Sequence, residues 1–201
     1  MRYLLPLLAL SASAFAFAQP VVFGVKGGLP LTEVFDQGEF QGLANIRGSN
    51  DWVVGPMLEV RFPLRLGIEV NALFRPLDYR AEGITARATG DSWQIPLLLK
   101  WRVLPGPIQP YVSGGPVFQW VRNIRVQATA GNVNVDRTTD DLYAGGAALG
   151  GGVEFRLGRL KIQPEVRYTR FVGQDVDLPA AFQDLLRFNK NQAHLLVGIA
   201  F

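Results

Sequence analysis

Between Ser92 and Val103 the chain alternates almost without error: Trp93, Ile95, Leu97, Leu99, Trp101 and Val103 share one parity, and Gln94, Lys100 and Arg102 the other. Successive side chains of a strand point to opposite faces, so this segment reads as a strand that is apolar on one side and charged on the other. The pattern recurs in eight segments, near 21–31, 52–62, 64–75, 92–103, 108–123, 141–156, 160–172 and 191–201. Through the middle of each, the apolar face carries almost no charge. That repetition, on an even number of strands, predicts an all-β fold, an eight-stranded antiparallel up-and-down transmembrane β-barrel.

The first residues set the compartment. Met1-Arg2-Tyr3 is a short basic start, Leu4 to Leu10 an apolar core, and Ala16-Phe17-Ala18 a small-x-small cleavage pattern, which together read as a signal peptide over 1–18 followed by a barrel domain over 19–201. The apolar run is far shorter than the roughly 20 residues of a spanning helix. Cysteine is absent, so there is no lipoprotein anchor site after the leader and no disulfide framework. Lys and Arg number 20 against 17 Asp and Glu. The charges are scattered, with no basic stripe interleaved with stacking aromatics, which argues against nucleic acid as a partner.

The connections fall into two kinds. Around Pro63, at Leu104-Pro105-Gly106-Pro107 and at Leu157-Gly158-Arg159 the chain turns within a few residues. The others, 32–51, 76–91, 124–140 and 173–190, are long and polar. Tight turns alternating with long loops suit an outer-membrane barrel with periplasmic turns, four long extracellular loops and both termini in the periplasm. Aromatics provide an independent test. Trp52, Phe74, Trp93, Trp120, Tyr143 and Tyr168 fall at the long-loop ends, and Phe23, Phe62, Trp101, Phe155 and Phe201 at the short-turn ends. From Trp52 to Phe62, steps of about 3.3 Å on a strand tilted roughly 40° give about 25 Å of height, the apolar band of such a barrel.

A soluble barrel of the lipocalin kind shares the meander but points its apolar face inward. The polar face decides between the two, because it mixes long charges with many tiny residues, among them Gly24, Gly28, Gly67, Gly146, Gly150 and Gly198. A solvated face has no need to be small, whereas the inside of a narrow barrel must alternate large and small. The polar face is therefore assigned to the lumen. Pro56, Pro96, Pro110, Pro116 and Pro164 lie inside these strands, where each removes a ladder donor, and bulges or frayed ends are expected to absorb them. Residues 180–188 have the spacing of a short helix, with Phe182, Leu185 and Leu186 on one side.

Several short stretches carry a family resemblance. Gly24-Val25-Lys26-Gly27-Gly28-Leu29 resembles the opening strand of the small outer membrane β-barrel domain proteins, the broad OmpA-like and OmpX-like group. Gln109-Pro110-Tyr111-Val112-Ser113-Gly114-Gly115-Pro116 is similar to their fifth strand, and Glu165-Val166-Arg167-Tyr168 to their seventh. The terminal Leu195, Val197, Ile199 and Phe201 resemble the signal read by the barrel assembly machinery. The resemblance implies an outer membrane of the Gram-negative type as location, with membrane lipid and that machinery as partners. It leaves function open, since the group includes structural proteins, adhesins, narrow channels and a few lipid-modifying enzymes.

Catalytic chemistry has few residues to use, with one histidine and no cysteine. His194 falls on the lumen parity, as do Ser92 and Ser113, but lipid-modifying barrel enzymes need histidine, serine and an acid together at a lipid-facing rim. The run Gly145 to Gly152 lacks the Lys-Ser/Thr ending of a phosphate loop. Asp136, Asp140, Asp141, Asp175 and Asp177 on the long loops are of a type that binds calcium or lipopolysaccharide-bridging cations, but they lack EF-hand spacing and loop acids are more often solvated. No catalytic residue, cofactor or metal ligand is assigned. The strongest polar constellation is the set of charges on the lumen parity: Lys26, Glu59, Arg61, Glu69, Arg75, Lys100, Arg102, Glu154, Arg156, Glu165 and Arg167. Eight strands leave an interior just wide enough for side chains, so these should cross-link into a plug. The expected function is a non-enzymatic structural or surface-interaction role through the long loops, toward an extracellular ligand the sequence does not name. The alternatives are a narrow anion-preferring small-solute channel and a lipid-modifying enzyme.

Overall fold

The computed structural model describes residues 21–32, 35–37, 45–48, 51–82, 85–130, 133–139, 141–172 and 186–201. The expected leader, Asp140, Asp175, Asp177, Phe182 and Leu185 lie outside them. Eight strands form the wall: β1 (Val21–Pro30), β2 (Val53–Arg61), β3 (Leu66–Asn71, continuing as Leu73–Glu82), β4 (Thr85–Arg102), β5 (Ile108–Ala130), β6 (Leu142–Leu157), β7 (Leu160–Val172) and β8 (Asn191–Ala200). Each pairs antiparallel with the next, and β8 returns to pair with β1, so the sheet closes. Among the described residues no helix is long and apolar enough to cross a membrane.

Register fixes the shape. Pairing leads from Val21 through Val60, Ile68, Leu99, Gly114, Leu149, Tyr168 and Ala193 back to β1 at Leu31, a stagger of ten residues from Val21 to Leu31. About 33 Å of stagger against roughly 38 Å of summed interstrand spacing gives a strand tilt of about 40°, a circumference of about 50 Å and a backbone radius of about 8 Å. Such a cylinder holds side chains and little else. Its two faces are opposite in chemistry. Leu97, Leu99, Leu149, Val166, Val197 and Ile199 are exposed on the outside, while Lys26, Glu59, Glu69, Lys100 and Glu154 are fully buried inside. The charged face is inside and the apolar face outside, the reverse of the lipocalin-like arrangement, and soluble monomers rarely expose such an apolar wall.

The outward aromatics form two belts. Phe74, Trp93, Trp120 and Tyr143 are direct cross-strand partners on four consecutive strands. Phe74 lies 5.0 Å from Trp93 and 6.2 Å from Trp52, centroid to centroid, within the range of favourable tilted ring pairs. With the tilt above, this belt and Tyr168 stand about 20–25 Å from Phe23, Phe62, Trp101, Phe155 and Phe201 at the other end. That separation matches the apolar thickness of an outer membrane.

Three local expectations are corrected. The described parts of 76–91 and 124–140 are strand rather than loop: β3 pairs with β4 as far as Ala81 and Ala86, and β5 continues to Ala130 against a strand at Val133–Thr139. Their Thr, Val and Ala content is compatible with strand once a neighbouring ladder is present, and their polarity had suggested loop. Asn45–Gly48 adds to the β3 edge. Of the helix expected over 180–188, residues 180–185 lie outside the described residues, and Leu186–Phe188 is strand instead, pairing with Phe35–Gln37; there tertiary pairing overrides the weak helical spacing. The prolines are accommodated by lost rungs rather than shifted register. The β2–β3 ladder has the same register on both sides of Ala72, opposite Pro56, and the β4–β5 ladder omits the rows around Pro116 while keeping register from Pro96↔Val117 to Leu99↔Gly114.

Candidate functional site

Parity brings the charged side chains into one body inside the half of the barrel nearer the short turns. In one cluster Lys26 Nζ lies 2.5 Å from Glu69 and 2.7 Å from Glu165, Lys100 also pairs with Glu69, and Arg167 Nη2 lies 2.6 Å from Glu165. Tyr111 donates its hydroxyl to Glu165 at 3.0 Å, and its ring lies 4.3 Å from the Lys100 ammonium. In a second cluster Arg61 and Arg102 lie 2.7 and 3.2 Å from Glu154, and Arg102 also pairs with Glu59. Gln163 joins the two, accepting from Lys100 at 2.9 Å and donating to Glu154 at 3.0 Å. Arg156 bonds Glu154 at 2.8 Å with its side chain 38% exposed, at the edge of the network.

The small residues of the lumen face make room for this body. A Cβ on Gly150 would stand 2.7 Å from Ser113 Oγ and 2.9 Å from Glu165 Oε1. Each carboxylate touches at least two bases, which is the condition under which charges can be held out of water. All four carboxylates and both lysines are 0–1% exposed. An aqueous path through this level would expose them.

Above the network, toward the long hairpins, the lumen changes character. Arg75, Ser92, Gln94, Gln119, Gln192 and His194 line a cavity of about 10 Å³ with Val53 and Leu73. Gln119 donates to Ser92 Oγ at 2.8 Å, and Arg75 and Gln192 reach the carbonyls of Thr32 and Asn189 at 3.3 and 3.4 Å. These amides follow the same alternation as the charges, but a search for charged or nucleophilic residues passes over them. His194 and Ser92 thus share a cavity, and no carboxylate lines it among the described residues. Among the described residues no group of three or more His, Cys, Asp or Glu has the geometry to hold a metal ion. Of the loop acids, Asp141 pairs with Arg122 at 3.1 Å on the surface.

The last strand is the closing one. β8 pairs with β7 on one side and β1 on the other, and the Phe201 amide donates to the Phe23 carbonyl at 3.0 Å. Leu195, Val197, Ile199 and Phe201 are exposed on its outward face.

Solved structures share this architecture at low identity. Neisserial surface protein A superposes with a TM-score of 0.51 at 10% identity, covering 91% of this chain and 97% of that one. A major outer membrane protein from Thermus thermophilus gives 0.51 at 14% identity, covering 91% and 99%. The outer membrane protein OprG from Pseudomonas aeruginosa gives 0.51 at 14%, covering 90% and 94%. No curated protein matches the sequence. Closed wall, apolar exterior, paired aromatic belts and charge-filled interior converge with a sequence match over residues 3–201: the chain belongs to the outer membrane protein beta-barrel domain family.

Proposed function

We propose that this barrel is a non-enzymatic outer-membrane protein with a closed lumen, which acts in the envelope through the hairpins and loops at its long end, by stabilising the cell surface or contacting an external ligand. The observation that carries this reading is the complete burial of Lys26, Glu59, Glu69, Lys100 and Glu154 across the lumen. A conducting pore needs hydrated side chains at its narrowest level, and packed ion pairs leave no such level. The channel reading is disfavoured on that ground. The enzyme reading is disfavoured because His194 and Ser92 line one cavity with no acid among the described residues, with room for one water-sized group, and away from the lipid-facing wall. On this reading the rigid cylinder holds the hairpins of β3–β4 and β5 above the membrane, and rigid scaffolds commonly present binding elements in this way.

The test replaces residues 79–88, and separately 126–137, with an Asn-Gly turn on the shortened strands, and follows detergent sensitivity and binding of the cells to surfaces. Retained folding with a weakened envelope or lost binding in either variant is expected. Wild-type behaviour from both, and from matching cuts in 32–51 and 173–190, would overturn the reading.

A further inference from the structure

Charge is divided unequally between the two ends of the barrel. Apart from the four glutamates of the lumen network, every acid in the chain lies within 33–51, 78–91, 136–141 or 175–184, toward the long connections. The short turns, residues 62–66, 103–108 and 157–161, hold Arg65, Arg159 and Lys161 and no acid, and residues 1–20 carry Arg2 as their only charge. The nearest acids, Glu59 and Glu154, are buried and taken up by Arg61, Arg102 and Arg156. The terminal carboxylate of Phe201 is the one other anion at this end among the described residues. Arg65 and Lys161 bond the carbonyls of Val103 and Arg159, at 2.7 and 3.3 Å, which leaves their charges in place. Lys161 also faces Arg156 as its direct cross-strand partner, a like-charge pairing that is unfavourable on a ladder. Arg159 is exposed at the tip of its turn.

The same turns are apolar where they meet the outer wall. Leu64, Leu104 and Leu157 are 82%, 53% and 61% exposed, and Leu64 and Leu157 stand two residues beyond Phe62 and Phe155 of the aromatic belt. Two residues on a strand of this tilt add about 5 Å, which carries the turns from the edge of the apolar band into the headgroup layer. Long stems let arginine and lysine place their charges at phosphates of that depth while the leucines stay out of water. Exposed leucine interleaved with base, directly beside an aromatic belt, is the composition of a surface that lies in an anionic lipid interface.

We propose that the short-turn rim docks anionic phospholipid headgroups of the leaflet it meets. Contact is made at two points, Arg65 in the turn between β2 and β3, and Arg159 with Lys161 in the turn between β6 and β7 on the opposite side of the barrel. The proposal concerns the membrane surface and stands whether or not the lumen conducts.

Brominated lipids test it, because bromine quenches tryptophan from neighbouring lipids alone. A protein with Trp52, Trp93 and Trp120 replaced by phenylalanine keeps Trp101, the Cα partner of Leu66 beside Arg65. It is refolded into phosphatidylcholine vesicles that contain either brominated phosphatidylglycerol or brominated phosphatidylcholine at equal mole fraction. Quenching should show at least about a threefold preference for phosphatidylglycerol at low salt, lost at high salt and in a folded protein carrying Arg65→Gln, Arg159→Gln and Lys161→Gln. Displacement of the lipid by inorganic phosphate at constant ionic strength would assign the rim to a free anion and overturn the lipid assignment. Native mass spectrometry of the barrel with its four tryptophans intact, released from mixed vesicles, gives a second readout: retained phosphatidylglycerol should outnumber retained phosphatidylcholine, and fall in the triple variant. Equal quenching by the two lipids, equal retention, or an undiminished preference in the folded triple variant would overturn the proposal and leave the rim to an aqueous partner.

Discussion

Glu69→Gln removes one negative charge from the middle of the lumen while keeping the side chain's shape. Glu69 lies 2.5 Å from Lys26, pairs with Lys100, accepts from Asn71 at 3.0 Å and stands 3.5 Å from Arg167. After the change, Lys26, Lys100 and Arg167 have Glu165 as the one acid of their cluster, and Lys100 keeps Gln163 at 2.9 Å and the more distant Glu59 at 3.7 Å. Breaking a buried pair from one side costs about 3–5 kcal/mol. The surface pair Arg122–Asp141, whose side chains are 56% and 35% exposed, is the control, because Asp141→Asn should cost no more than about 0.5 kcal/mol. Urea unfolding of the barrel in lipid vesicles, read by tryptophan fluorescence, measures both. Adding Lys100→Met to Glu69→Gln should recover roughly 1–3 kcal/mol, since the two sites share one network. A Glu69→Gln barrel as stable as Asp141→Asn would mean that lumen water screens these charges, and the packed-plug account would be wrong.

Three further outcomes concern other parts of the molecule. Deleting Phe201 should reduce inserted barrel in cells far more than Val197→Ala, although both side chains lie on the outward face of β8; equal yields on heat-shift gels would contradict a terminal assembly signal. Leu64 and Arg65 adopt φ of 64° and 65° in the turn before β3, a left-handed pair costly for side chains with a Cβ, so Asn-Gly at these positions should stabilise the barrel by about 1–2 kcal/mol in urea unfolding, and a loss would refute the strain. Gly150→Ala should cost about 1–3 kcal/mol by displacing Glu165, whereas Gly145→Ala, whose added Cβ meets nothing within 4 Å, should stay within about 0.5 kcal/mol; equal effects would show that the lumen yields.

Alternation made the barrel legible because a strand's period of two is strict, and the same parity located Lys26, Glu69, Lys100 and Arg167 before any contact was known. What parity does not encode is which charge meets which. Lys26 and Glu165 are brought together by the stagger between β1 and β7, a property of all eight ladders at once. The hairpin extensions were missed because polarity is a weak guide to loop where a ladder continues, as at Thr85↔Thr129. The upper chamber was missed for a different reason: Gln94, Gln119 and Gln192 carry no charge, and their significance appears only when a cavity gathers them. The prolines read as defects in isolation, yet Pro56 opposite Ala72 costs one rung and leaves the register on either side intact.

The central claim is that the charge network seals the lumen, and planar-bilayer recording of the wild-type barrel tests it most directly. The account predicts no steady conductance in molar potassium chloride, with discrete current appearing only when the network is opened by replacing Glu69, Lys100 and Arg102 together with alanine. Steady, anion-preferring current through the wild-type protein would contradict it.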